Sequence, residues 1–217
     1  MTNIRTNRKE EMIDAAEKLF SEKSYMETSI DDICDEVGVA HSLFYYYFDS
    51  KDQIIEAIIE RMISEIEKRL MEVVKITELT ADEKFLKFMT LAFNRKKERP
   101  YLASFYSREN NPKVYYRLLN RMIEIVTPYM TKIVKQGIEE GIFDTEYPEQ
   151  TIRFWLNGRM FMMDEEEPIR DGIFEDMKAE AFMLERLLRA KDSFLTNFYE
   201  QFEKDIKEFL DKARGDE

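Results

Sequence analysis

Apolar residues recur along this chain every three or four positions, the period of a helix buried on one face, and no stretch shows strand-like alternation. A first stripe covers residues 8–22 through Met12, Ala15, Ala16, Leu19 and Phe20. Two short helices are then expected within 28–48. Thr28 or Ser29 can cap the first, Ile30, Ile33 and Cys34 give it one apolar face, and Gly38 ends it. The second starts two or three residues later and carries Phe44, Tyr45, Tyr46, Tyr47 and Phe48. Two helices joined by so short a glycine turn form a helix-turn-helix, whose second helix can enter a DNA major groove. Ser50-Lys51-Asp52-Gln53 reads as a capping box that opens a long amphipathic helix over 51–75. Its stripe runs from Ile54 and Ile55 to Val73 and Val74, about 35 Å at 1.5 Å per residue.

A further capping box, Thr80-Ala81-Asp82-Glu83, starts a helix through Phe85, Phe88, Met89 and Phe93. All five prolines lie beyond residue 99, each near a plausible helix start or break. They divide the remainder into helices near 101–108, 113–126, 128–140, 148–163, 175–190 and 193–212. Gly141 ends one of these, and 164–172 forms a polar loop, the best candidate for a mobile surface segment. The expected fold is all-α: an N-terminal helix-turn-helix domain of three helices over 1–50, joined by the long helix to a larger helical domain over 51–217.

Composition narrows the function classes. With 217 residues, 44% hydrophobic and 36% charged, and only 6 Gly and 5 Pro, the chain suits a mostly helical globular protein. No run of about 18 apolar residues exists, so no membrane span is expected. The charged N-terminus lacks an apolar signal core, and one cysteine cannot form an internal disulfide; both fit a cytoplasmic protein. No phosphate loop, nucleophile elbow or metal-ligand spacing occurs, so neither an enzyme nor a cofactor is expected.

Chemistry concentrates at the second short helix. His41, Ser42 and Leu43 begin it, where side chains meet base edges. His41, the single histidine, could bond guanine N7 or O6, or it could simply face water at a helix start. Ser42 can bond several bases, and Leu43 could touch a thymine methyl group. Phe44, Tyr47 and Phe48, spaced i, i+3 and i+4, form the core-facing set, which leaves Tyr45 and Tyr46 outward for phosphate or sugar. Thr28 and Ser29 could bond a phosphate or serve only as caps. Arg5, Arg8 and Lys9 could form a basic arm along the DNA backbone. Cys34 reads as buried packing.

The spacing T-S-x-x-x-I-x-x-x-x-G-V-x-x-x-x-x-Y-x-Y-F-x-S-K, carried by Thr28, Ser29, Ile33, Gly38, Val39, Tyr45, Tyr47, Phe48, Ser50 and Lys51, closely resembles the DNA-binding module of the TetR (tetracycline repressor) family. The resemblance covers about the first quarter of the chain, with a weaker echo over 128–156. It implies that Tyr45 contacts DNA, that Tyr46 and Lys51 contact phosphate, and that the second domain binds a small inducer and forms the dimer through helices 148–163 and 175–190.

Charge complicates this picture. The net charge is −12, and residues 1–51 hold six basic against eleven acidic side chains. Phosphate neutralisation normally supplies most non-specific affinity. Either the few basic residues share one face while the acids on the flanking helices point away, or the domain no longer binds DNA. Poor non-specific affinity and a shallow salt dependence are expected.

Most of the 13 Met, 16 Phe and 11 Tyr lie after residue 80, where they suit either an adaptable apolar pocket or an ordinary bundle core. Phe93, Phe105, Tyr106, Met122, Trp155, Arg159 and Met162 are the candidate ligand-lining set. Arg159, a charge inside the apolar run IRFWLNGRMFMM, needs a partner: an acidic ligand group, or an acid such as Asp164 or Glu185. The expected seam between protomers includes Ala179, Phe182, Met183, Arg186, Leu187 and Ala190. The leading expectation is a ligand-responsive repressor that binds a palindromic DNA operator as a homodimer and is released by a small apolar or amphipathic effector. A helical interaction protein that has lost DNA binding is the alternative.

Overall fold

The computed structural model of the chain describes residues 2–98, 112–162 and 172–215, and every regular element among them is a helix. These are α1 (Thr2–Glu27), α2 (Ile30–Val37), α3 (His41–Tyr47), α4 (Lys51–Val74), α5 (Ala81–Glu98), α6 (Pro112–Glu139), α7 (Pro148–Met162), α8 (Ile173–Leu188) and α9 (Phe194–Gly215). The helix expected near 101–108 and the loop expected at 164–172, apart from Gly172, lie outside the described residues.

Local chemistry sets the boundaries at the head of the chain. Ser29 caps α2: its hydroxyl accepts the Asp32 N–H at 3.0 Å while the Asp32 carboxylate accepts the Ser29 N–H at 2.7 Å, a reciprocal box. Gly38 closes α2 at φ 67°, a left-handed conformation that glycine adopts without strain. The α1 helix is interrupted at Lys23 and Ser24, where Ser24 takes φ 72° and turns the chain toward α2.

The described residues form two compact units. The first contains residues up to 69 together with 92–98 and 112–125. Its core joins Met12, Ala16 and Phe20 of α1 to Ile33 and Cys34 of α2, Phe44 of α3, Phe48 after it, the isoleucines Ile54, Ile55, Ile58 and Ile59 of α4, and Val114 and Leu118 of α6. Burial in apolar surroundings raises the Cys34 thiol above its usual pKa, as befits packing.

The second unit contains 70–91, 126–162 and 172–215. Phe85, Met130, Ile133, Val134, Ile152, Trp155, Leu184, Leu195 and Tyr199 are buried there. The Phe85 ring meets those of Trp155 and Phe194 at 5.3 and 5.6 Å. Gly137 lets the turn after α6 close on that helix, since a Cβ there would fall 2.2 Å from the Phe143 ring. Lys84 is buried and donates to the Val74 carbonyl at 3.1 Å and the Gln136 side chain at 2.7 Å, capping the end of α4.

One expected break is absent. The prolines predict separate helices at 113–126 and 128–140, but α6 runs unbroken from Pro112 to Glu139 with Pro128 inside it. Pro128 is exposed, and Val126, Met130, Ile133 and Val134 bury one continuous face around it. One lost backbone bond, about 3 kcal/mol, is offset by burial worth about 1.5–3 kcal/mol per large side chain.

Candidate nucleic-acid interface

Helix α3 is held by one face and presents the other. Phe44 and Phe48 are buried, with rings 5.5 Å apart, and Tyr47 is half-buried beside them. Tyr45 and Tyr46 are 54% and 63% exposed, although both are large aromatics whose burial would be favourable. Each is steadied by a neighbour: the Tyr45 ring is edge-on to Phe44 at 5.6 Å, and the Tyr46 ring edge-on to Tyr47 at 4.8 Å. His41 and Ser42 are exposed at the start of α3, and Leu43 is half-buried. The structure thus places His41, Ser42, Tyr45 and Tyr46 together on the solvent side of one seven-residue helix. His41 Nε2 lies 2.9 Å from Asp31 Oδ1 of α2.

Thr28 and Lys51 are turned inward. Thr28 is 1% exposed, and its hydroxyl donates to the Ser24 carbonyl at 2.7 Å. Lys51 Nζ donates to the carbonyls of Tyr25 and Thr28 at 2.6 and 2.7 Å and sits 4.1 Å from the Tyr25 ring centre. Burial lowers the Lys51 pKa, with the neighbouring Asp52 charge acting against it. Ser29 is exposed, but its oxygen and N–H form the α2 capping box.

The other basic side chains between Arg8 and Arg61 are engaged as well. Arg8 pairs with Glu11 at 2.7 Å, Lys18 with Glu36 at 2.7 Å, and Lys23 with Asp32 at 2.9 Å. Lys9 sits over the Phe48 ring, and Arg61 pairs with Glu10, Asp14 and Glu17. Arg8 and Lys9, considered above as parts of a basic arm, lie within α1; the Arg5 side chain is outside the described residues.

The candidate ligand-lining residues are distributed. Met122 is half-buried against the core of the first unit. Trp155 and Arg159 are buried in the second, where the indole N–H donates to Glu180 Oε1 at 2.7 Å. Arg159 Nη1 donates to both Glu180 oxygens at 2.5 Å and to the Tyr199 hydroxyl at 3.1 Å. Phe105 and Tyr106, and the side chains of Phe93 and Met162, lie outside the described residues.

Among the described residues, then, Arg159 pairs with Glu180 and not with Glu185. The Glu185 carboxylate instead accepts the N–H groups of Leu195 and Thr196 at 2.8 and 2.9 Å and so caps α9. A signal for Glu180 was present in the chain: it falls on the stripe Met177, Ala181, Leu184, Leu188, where a carboxylate needs a partner. Of the residues expected at a seam between protomers, Ala179, Phe182, Met183, Arg186 and Leu187 are outward on α8, with Phe182, Met183 and Leu187 at 56%, 50% and 41% exposure, while Ala190 lies beyond its end and is half-buried; Phe154 of α7 is 72% exposed.

Comparison with known proteins places this geometry. An uncharacterized HTH-type transcriptional regulator of Lactococcus lactis subsp. lactis, from the lacX 3' region, is 35% identical over 114 residues, 52% of this chain and 51% of that protein. The chain therefore spans about half the length of that relative. IcaR, the negative transcriptional regulator of the icaADBC biofilm operon in Staphylococcus aureus, is 25% identical over 133 residues, covering 61% of this chain and 70% of its own. Among solved structures, RolR in complex with resorcinol superposes with a TM-score of 0.63 at 16% identity, over 92% of this chain and 96% of that one, which is a likeness of fold. Residues 12–58, the stretch from α1 through the first turns of α4, match the bacterial regulatory proteins of the tetR family.

Proposed function

We propose that this chain is a ligand-responsive transcriptional regulator, a repressor that binds a palindromic operator as a homodimer and leaves it when a small apolar or amphipathic molecule binds the second domain. The observation that carries this reading is the outward face of α3. Four side chains able to bond bases or phosphates, His41, Ser42, Tyr45 and Tyr46, stand in solvent on a helix anchored by buried Phe44 and Phe48 within the matched tetR segment. In this reading residues 1–50 act as the DNA-binding domain. Lys51 and Thr28 then serve DNA indirectly, by fixing the turn that launches α2.

The exposed apolar side chains of Phe154 on α7 and of Phe182, Met183 and Leu187 on α8 support a two-fold contact with a second copy, which a palindromic site requires. Ligand responsiveness is supported by the fold shared with RolR, which was solved with resorcinol. Trp155 and Arg159 remain the effector-facing candidates among the described side chains, alongside Met122, with Phe93, Phe105, Tyr106 and Met162 completing the set. The engagement of all six described basic side chains from Arg8 to Arg61 favours one rival, a helical interaction protein without DNA affinity. Selection of duplexes from a randomised pool by the purified chain separates the two. Enrichment of a palindrome, absent with Tyr45→Ala, supports the regulator; no enrichment even at low salt supports the rival.

A further inference from the structure

Within the second unit, Arg159 of α7 is buried, yet it is held through only one of its nitrogens. Nη1 donates to both Glu180 oxygens at 2.5 Å and to the Tyr199 hydroxyl at 3.1 Å. A guanidinium carries five N–H donors in a planar fork, and two of them sit on Nη1. The other three, on Nη2 and Nε, meet no acceptor among the described residues. A buried charged donor left unpaired is more costly than a neutral one. Packing does not seal this edge. Among the described residues, Thr131 Oγ1 is the one fully enclosed side-chain nitrogen or oxygen without a partner, so Nη2 and Nε stay within reach of a small molecule.

Charge and shape decide what fits there. Nε and Nη2 present two parallel N–H groups, a fork that suits oxygen acceptors. A carboxylate would match the fork, but the Glu180 carboxylate already balances the Arg159 charge. Burial raises the Tyr199 pKa, so its hydroxyl stays a neutral phenol. A second anion would leave the buried cluster with an uncompensated negative charge, and that desolvation cost exceeds what its hydrogen bonds contribute. A neutral carbonyl oxygen takes the same N–H groups without adding charge. Beside the fork, the Trp155 ring lies 5.8 Å from the guanidinium carbon, and Phe85 joins that ring to Phe194. This run of aromatic rings favours a flat apolar body. The indole N–H is engaged by Glu180 and offers a ligand no donor. We propose that the Nε–Nη2 edge of Arg159 is a binding subsite for the carbonyl oxygen of a small, neutral aromatic molecule, and that this molecule is the effector. The effector role rests on the regulator reading; the subsite does not.

Trp155 is the single tryptophan of the chain, so its indole N–H gives one resonance in a proton–nitrogen correlation spectrum of the full chain. Toluene, acetophenone and benzoate are probes of similar size that differ in acceptor and charge. With the wild type, acetophenone shifts the resonance saturably and binds at least about 10-fold more tightly than toluene or benzoate, the factor of one charge-assisted hydrogen bond. Arg159→Lys keeps a cation for Glu180 but loses the fork, and brings acetophenone to within about 3-fold of toluene. Arg159→Met with Glu180→Leu, which buries no charge, gives the same result should the lysine variant not fold. Benzoate bound as tightly as acetophenone overturns the neutral ligand. No saturable shift with acetophenone, or an undiminished preference in Arg159→Lys, overturns the subsite. Release of the selected duplex by acetophenone supports the effector role, and retention by saturated protein overturns that role alone. Failure to select any duplex overturns the regulator reading, and the subsite stands on the resonance.

Discussion

Between Arg8 and Arg61 the described cations are taken up by carboxylates, carbonyls or rings of the same chain. In the proposed reading, phosphate contacts then fall to the hydroxyls of α3, and few counterions would leave on binding DNA. Six to ten phosphate contacts give a log–log salt slope of about −5 to −9, and this protein should show a slope shallower than about −4. A titration series from low to physiological salt measures it. Tyr25 near the end of α1 and Asp52 at the start of α4 add a pH dependence. Hydrogen bonds from Lys113 and then Tyr25 hold Asp52 below its ordinary pKa of 3.8, so the unfolded chain binds its proton first as acid is added. The stability that Asp52 contributes is therefore present above that value and lost as the pH falls further. Desolvation first, then the bond to Asp52, raises Tyr25 to about 12, so its contribution is present below about pH 10 and lost as the pH climbs to about 12. Thermal melts across pH should show both limbs, with Asp52→Asn flattening the acid one and Tyr25→Phe the alkaline one. The outward Tyr45 and Tyr46 and the buried Phe44 were legible in the sequence, because i, i+3 and i+4 spacing alone assigns them. The inward turn of Lys51 was not, because its acceptors lie 23 and 26 residues away.

The helices depend on contacts of very different range, and substitutions expose the difference. Gly38 has nothing within 4 Å of where a Cβ would stand, so Gly38→Ala meets only the cost of a left-handed backbone, about 1 kcal/mol. Denaturant unfolding should register that loss with an unchanged slope. The Arg159–Glu180 pair joins α7 to α8, with side chains 7% and 13% exposed. Replacing Glu180 alone by Leu strands the guanidinium and should cost about 3–5 kcal/mol, whereas Arg159→Met with Glu180→Leu should cost far less. A double-mutant cycle that includes both single variants, by urea unfolding, decides this; single losses that simply add in the double variant would mean that the pair is not coupled. Caps, the glycine stop and the long stripe of α4 are local patterns and could be read from the chain. Pro128 misled because a proline signals a break only when no continuous apolar face holds the helix together around it. The partners of Arg159 and of Asp52, Glu180 and Lys113, lie 21 and 61 residues away, a distance over which no short-range pattern points.

For the whole molecule, function as proposed needs two copies and two recognition helices. Phe182→Asp, placed in the exposed apolar face of α8, should convert a dimer into a folded monomer and weaken palindrome binding at least about 100-fold, because one helix-turn-helix reads only a half-site. Light scattering on the eluted protein gives the mass, and unaltered dimer mass would move the two-fold contact elsewhere. The likeness to the tetR family lies in about one quarter of the chain; the remainder is recognisable only as a fold, since apolar side chains can fill a helical bundle in many ways. The most direct test of the account is an equilibrium titration of the selected palindromic duplex against its half-site and a scrambled control, with wild-type and Tyr45→Ala protein. The account predicts two protomers per palindrome, markedly weaker half-site binding, and loss of discrimination with Tyr45→Ala. Equal affinity for palindrome and scrambled duplex, or none for either at low salt, would contradict it.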